Sequence, residues 1–432
     1  MAIIPQKMLF GWEDDIDHLG DLARLKLVMD YLPDEALMCK LEKERGQGRD
    51  DFPVRAMWNL LLAGFVFGHE GDASLLRELG RNGQLKHFCG FGFGKIPKAY
   101  NLSRFRAMLL KHLDEVEGIF DELCGQLYGK LEGFGEELAI DSKWVESAAN
   151  RQSQRKEPDG RSETEARKGV KTYSGVREDG SRWEKTVTCF GFKIHLLVDA
   201  VYELPVAFKV TDAAASDVAE GKKLLCVLKE ERPEIINKAK YLMGDKGYDD
   251  TELIEWLKGE DVRAVIDKRS MWKAQAEKEV PGYEDAYYDE AGNVYCYTPD
   301  KGVRRMMTPN GYEKERDAAR FKCPAQAYGR ECPEQERCRC KNIRIPLSTD
   351  PRIFTQVQRE SKRWKRYYNK RTAVERVNSR FDVTLGFEER LVRGKARMTL
   401  NTSLALAIML AMASGRIANK QDDLMRSLVK AA

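Results

Sequence analysis

Two short apolar runs, each closed by an aspartate, constrain this chain more than any other feature: Leu138-Ala139-Ile140 before Asp141, and Tyr241-Leu242-Met243-Gly244 before Asp245. Runs of this length read as buried strands, and an acid directly after each lies at the carboxyl edge of a sheet, where open α/β folds build their sites. A third acid, Glu375, stands in Tyr368-x2-Arg371-x3-Glu375, a basic segment of helical spacing. At i, i+3 and i+7 the phenol, guanidinium and carboxylate share one helical face. Converged, the three carboxylates make the oxygen-rich cluster that Mg2+ or Mn2+ prefers. Taken singly, each aspartate also reads as a turn or cap residue, and Arg371 with Glu375 as an exposed ion pair.

The pattern around these acids predicts the organisation. Residues 1–130 read as helical: apolar positions recur at Val54, Met57, Trp58, Leu61, Leu62 and Phe65, Asp72 or Ser74 is placed to cap a helix ending at Gly80, and Leu102 to Leu127 continues the helical spacing. Such a segment serves DNA binding, dimerisation or both. Residues 131–268 alternate strands at 137–140, 189–198, 204–210, 240–243 and 262–266 with helices at 217–229 and 250–258, and a basic loop spans 150–182. Strand, strand, strand, helix, strand, helix, strand is a mixed α/β layer order. Residues 269–348, rich in Tyr, Gly, Pro and Cys, are too long for a structureless loop and predict a β-rich inserted subdomain. Residues 349–432 return to helix, with a long apolar one from Met398 to Ser414.

The net charge of +4 hides an uneven distribution, because Arg359 to Arg380 holds nine Lys or Arg against two Glu. With Trp364, Tyr367 and Tyr368 interleaved, the stretch reads as a nucleic-acid surface, with Lys365, Arg366, Lys370, Arg371 and Arg380 as candidate phosphate contacts beside Tyr368. The N-terminal residues lack a signal-peptide core and Leu404 to Met412 is too short to span a bilayer, so the expectation is a cytoplasmic chain with no membrane partner. Six cysteines are dispersed as reduced structural thiols are; Cys323, Cys332, Cys338 and Cys340 cluster as C-x8-C-x5-C-x-C, and either hold a structural Zn2+ or remain metal-free thiols. His195 and Asp199, on a probable strand and at its end, read as a structural histidine and a turn cap.

These motifs resemble those of DDE transposases of bacterial insertion sequences, in the IS4/IS5-like group and nearest its IS1182-like branch. Residues 53–90 are similar to their helical N-terminal domain; Ala139-Ile140-Asp141-Ser142 to the first-acid strand; Gly191 to Asp199 and Leu204-Pro205 to the following hairpin; Gly244-Asp245-Lys246-Gly247-Tyr248 to the second-acid motif; and Tyr368-x2-Arg371-x3-Glu375 to the third. The resemblance implies a ribonuclease-H-like mixed-sheet core in which Asp141, Asp245 and Glu375 coordinate two Mg2+ ions, and an activity that cleaves double-stranded DNA at element ends and joins them to target DNA, with a homodimer bringing two ends together. Where family members place a lysine seven residues after the glutamate, this chain has Asp382. A non-integrating nuclease and a noncatalytic DNA-binding or assembly protein are the alternatives.

Overall fold

A computed structural model describes residues 19–46, 52–91, 95–151, 162–177, 179, 181–273, 276–297, 304–329, 332, 341–359 and 361–429. The first part is helical: α1 Leu22–Tyr31, α2 Glu35–Arg45, α3 Val54–Val66, α4 Asp72–Arg81, α5 Gly83–Cys89, α6 Ala99–Leu109 and α7 Leu113–Lys130. α3 is apolar on every side and is correspondingly buried from Val54 to Val66 except at Arg55. Two sequence expectations shift here. α4 runs past Gly80 to Arg81 with Gly71 at its N-cap, and a 3-10 turn at Leu110–His112 separates α6 from α7.

The second part is a six-stranded sheet in the order β2-β3-β1-β5-β6, with β4 also on β3: β1 Glu137–Glu146, β2 Arg167–Val176, β3 Arg182–Asp199, β4 Leu204–Asp212, β5 Tyr241–Gly244 and β6 Arg263–Ile266. β3 runs antiparallel to β1, β2 and β4, whereas β5 and β6 run parallel to β1. The parallel crossovers are made by α8 Asp217–Glu231 with α9 Pro233–Lys238, and by α10 Thr251–Gly259. β1 is longer than its apolar run predicts: it continues through Asp141 to Glu146 because β3 still pairs it there, while β5 stops at the Ile140↔Gly244 pair. The expected basic loop at 150–182 contains a full strand, β2.

Seven strands, β7 Glu277–Val280, β8 Tyr283–Asp289, β9 Val294–Tyr297, β10 Arg304–Met306, β11 Thr308–Glu313, β12 Ala318–Lys322 and β13 Asn342–Pro346, with the short α11 Pro324–Tyr328, form a four-stranded and a three-stranded sheet after β6. They gather around a hydrophobic cluster of their own that includes Tyr288, Phe321, Ile343 and Phe354. The chain then returns beside the six-stranded sheet as α12 Lys362–Tyr368, a 3-10 turn at Asn369–Arg371, α13 Thr372–Ser379 and a π turn at Arg380–Thr384. The last helix, α14 Lys395–Ala418, is long and apolar enough to cross a membrane, but 89% of its apolar window is buried against the fold, α7 and α1 included. It is a core helix.

Candidate active site

Register places the first two acids side by side. Ile140 pairs with Gly244 on parallel neighbours, so the next residues, Asp141 and Asp245, leave the same edge one strand spacing apart, about 4.8 Å. Gly244 in turn pairs with Ile266, so Asp267 follows at the same level on β6. Three aspartates therefore form one row. The signal for Asp267 is present in the sequence, since Ala264-Val265-Ile266 is a third apolar run closed by an acid.

Local bonds hold the row in place. The Ser142 amide donates to Asp141 Oδ1 at 2.7 Å, and the Gly247 amide donates to Asp245 Oδ1 at 2.7 Å. A Cβ at Gly247 would stand 2.7 Å from that same oxygen, so a side chain there would push the Asp245 carboxylate from its place. Behind Asp141, Ser142 Oγ donates to Asp217 Oδ1 at 2.7 Å and Lys193 Nζ to the same carboxylate at 2.8 Å, which pins the start of α8 to β1 and β3. Tyr248 packs its ring, 1% exposed, beneath this edge.

The electrostatics of the row centre on the buried Asp141. Burial pushes the Asp141 carboxyl up to about 6; the Ser142 amide opposes this, the Asp245 charge adds to it, and Lys171 and Arg371 oppose it more weakly. Burial, reinforced by Asp141, Asp217 and Asp245, also drives the Tyr248 hydroxyl well above its ordinary value.

The third acid is nearby but otherwise engaged. Arg371 bonds Glu375 at 2.8 Å, and the Glu375 side chain is 53% exposed. The Arg371 guanidinium stands over the Tyr368 ring at 5.7 Å, and its charge is felt by Asp141. The face expected from the i, i+3, i+7 spacing survives the 3-10 turn inside it. Glu375 is not gathered with the two aspartates, and among the described residues no three His, Cys, Asp or Glu side chains approach closely enough to hold a metal ion.

The basic segment divides. Lys365 and Arg366 are exposed, whereas Lys370 is paired with Glu137 and Arg380 donates to the Glu203 carbonyl at 2.6 Å and to the Arg426 carbonyl at 2.9 Å. Trp364 and Tyr367, each 8% exposed, are packing residues: Tyr367 stacks on Tyr241 with ring centroids 3.8 Å apart, and Trp364 on Tyr368 at 4.5 Å. Asp382 pairs with Lys143, a strand residue on the same face of β1 as Asp141, and Glu388 meets the same ammonium at 3.3 Å. Lys143, which no sequence motif singles out, is thus the cation that meets Asp382.

Away from the row, His195 is fully buried, bonded to Thr211 at 3.0 Å and held near 4 by burial, and Asp199 accepts from the Gly135, Val201 and Tyr202 amides, so both are structural. Cys323 is buried and Cys332 partly so, both as free thiols, while Cys338 and Cys340 lie outside the described residues.

Paired acids at the carboxyl edge of a mixed sheet, flanked by an arginine and a basic helix, mark an enzyme of phosphoryl transfer on nucleic acid. The chain belongs to the DDE transposase family: residues 133–411 match the transposase DDE domain, and residues 12–108 match a further transposase domain, DUF772. It is a DNA transposase. No curated protein matches it. Among solved structures it is similar to the piggyBac transposase, seen by cryo-EM in a synaptic complex with hairpin DNA, at 10% identity and a TM-score of 0.40 over 96% of this chain and 80% of that one; a likeness so distant does not bear on mechanism.

Proposed function

We propose that Asp141, Asp245 and Glu375 are the DDE acids of this transposase and that they bind two Mg2+ ions, with Mn2+ as a substitute. The observation that carries the reading is the Ile140↔Gly244 register, which sets Asp141 beside Asp245 at the carboxyl edge of the sheet. Hard carboxylate oxygens suit such an ion. Bound there, the ions supply neutralisation of the scissile phosphodiester and activation of the attacking hydroxyl.

The remaining steps belong to the chain's own side chains. Glu375 completes the set by turning from Arg371 toward the row, a change open to an exposed side chain on the first turns of α13. Arg371, so released, presents its guanidinium to a non-bridging phosphate oxygen, and Tyr368 backs it. Lys365 and Arg366 face outward on α12 and offer their charge to DNA. The strand order, with three antiparallel strands followed by two parallel ones beside β1, supports a ribonuclease-H-like core, and the motifs support the IS1182-like branch. Joining two element ends requires two such sites, hence a dimer on DNA.

The test is strand cleavage. Asp141→Asn and Asp245→Asn should each lower Mg2+-dependent cleavage of duplex DNA by at least about a thousandfold while duplex binding in chelator is retained. Cleavage within about tenfold of the parent by either variant would remove that residue from the site.

A further inference from the structure

β3 belongs to the core over only half its length. From Phe192 to Asp199 it is flanked by β1 and by β4, but from Arg182 to Cys189 the strand that pairs with it among the described residues is β2. Every residue from Arg182 to Thr188 is exposed, so this ribbon has water on both faces. A lone two-stranded ribbon is marginal in water, and an alternation of this kind buries nothing.

Its side chains point to a partner. Arg167, Lys168, Arg177, Arg182 and Lys185 have no carboxylate partner among the described residues, in a molecule whose cations are extensively paired. Of the nearby acids, Asp179 is taken up by Ser181 within the turn. The register pairs Tyr173 with Lys185 and Gly175 with Trp183, which sets Tyr173, Lys185 and Trp183 on one face, with the two rings 50% and 36% exposed. Gly175 makes room for the indole, since a Cβ there would lie 2.6 Å from Trp183 Nε1. On the same face and nearer the body, Lys171 stands over Trp144 at 5.1 Å and lies 3.8 Å from Asp217, the carboxylate that fixes Ser142 beside Asp141. The cationic and aromatic face therefore starts next to the acid row and runs outward.

We propose that the β2–β3 ribbon is a DNA-binding arm that lies along the duplex leading away from the scissile phosphate. From Arg182 to Gly191 it spans about 30 Å, close to one turn of B-DNA, and the major groove admits a two-stranded ribbon. The cations meet phosphate oxygens, and Tyr173 and Trp183 pack against the groove wall. The direction along the DNA rests on the reading of the acid row as the cutting site; contact with the duplex does not.

The experiment uses the full chain carrying Arg167→Gln, Arg177→Gln and Lys185→Gln together, all exposed positions that alternate onto the face of Tyr173 and Trp183, with an unchanged unfolding midpoint as the folding control. Binding to a duplex of about three helical turns is followed by fluorescence anisotropy in chelator over a range of salt. The plot of log affinity against log salt should become less steep by about 0.9 for each phosphate no longer neutralised, up to about 2.7, while Asp141→Asn leaves it unmoved. Failure of the arm and failure of the acid site are thereby separate results. A second variant, Tyr173→Ala with Trp183→Ala, should weaken binding severalfold without changing the slope. An unchanged slope and affinity in the triple variant overturns the proposal. So does an unchanged slope with a loss of dimer mass in sedimentation, which would make the ribbon an interface between copies of the chain.

Discussion

Arg371 decides what the third acid can do. Its guanidinium bonds Glu375 at 2.8 Å and also lowers the Asp141 carboxyl weakly, so one cation serves the third acid and reaches toward the first. A pair with one partner 53% exposed is worth at most about 1 kcal/mol to the fold. Glu375→Gln should accordingly shift stability by less than about 1 kcal/mol in chemical denaturation, yet abolish Mg2+-dependent strand cleavage. A large destabilisation would show that Glu375 is a structural anchor of α13. Undiminished cleavage would leave the two ions to the aspartates, with Asp267 the next candidate.

At the scale of elements, legibility follows burial. Strands that alternate or run apolar because they are buried, such as β5, β6 and the inner half of β3, are readable within a residue or two. β2 is not, because a strand exposed on both faces carries no burial pattern and its lysines and glycines read as a loop. The adjacency of Asp141 and Asp245 is foreseeable from their matching contexts; the Lys143 pairing with Asp382 is not, since it joins residues 239 apart in sequence. A similar invisible juxtaposition occurs on α7. Burial, with Asp114, Asp121 and Glu231 around it, pushes the half-buried Glu117 up to about 7, and Arg232 is shared with Asp121 at 3.2 Å. Because the folded chain holds this proton more tightly than the unfolded one, ionising Glu117 destabilises the fold progressively as pH rises from about 4.5 to about 7, and fully above that. Glu117→Gln should leave stability near pH 4 unchanged and raise it at pH 8 by about 1–2 kcal/mol after allowance for solvent screening, a few degrees in melting midpoint. An equal gain at both pH values would assign the effect to packing.

At the scale of the molecule, two hydrophobic cores must keep one register if the acid row is to stay aligned. The larger is continuous from α1 through the six-stranded sheet to α14, and the smaller lies within residues 280–354. Polar contacts at the carboxyl end of β6 tie them together. Arg352 bonds Asp249 at 2.6 Å and the Arg269 carbonyl at 3.0 Å. Arg359, 6% exposed, donates to the carbonyls of Ile266 at 3.0 Å and Ile353 at 3.1 Å and also to that of Arg352. Ile266 immediately precedes Asp267, so this guanidinium holds the edge of the row as well as the insertion. Methionine at 359 fills similar volume but leaves three carbonyls without their donor, each costing about 1–3 kcal/mol where water cannot reach it. Arg359→Met should therefore loosen the insertion before the rest: amides of β8, β12 and β13 should exchange faster while those of α14 stay protected, and cleavage should fall with duplex binding retained. Uniform acceleration of exchange, α14 included, would mean that the two cores unfold as one unit and that Arg359 stabilises the whole chain instead of the joint.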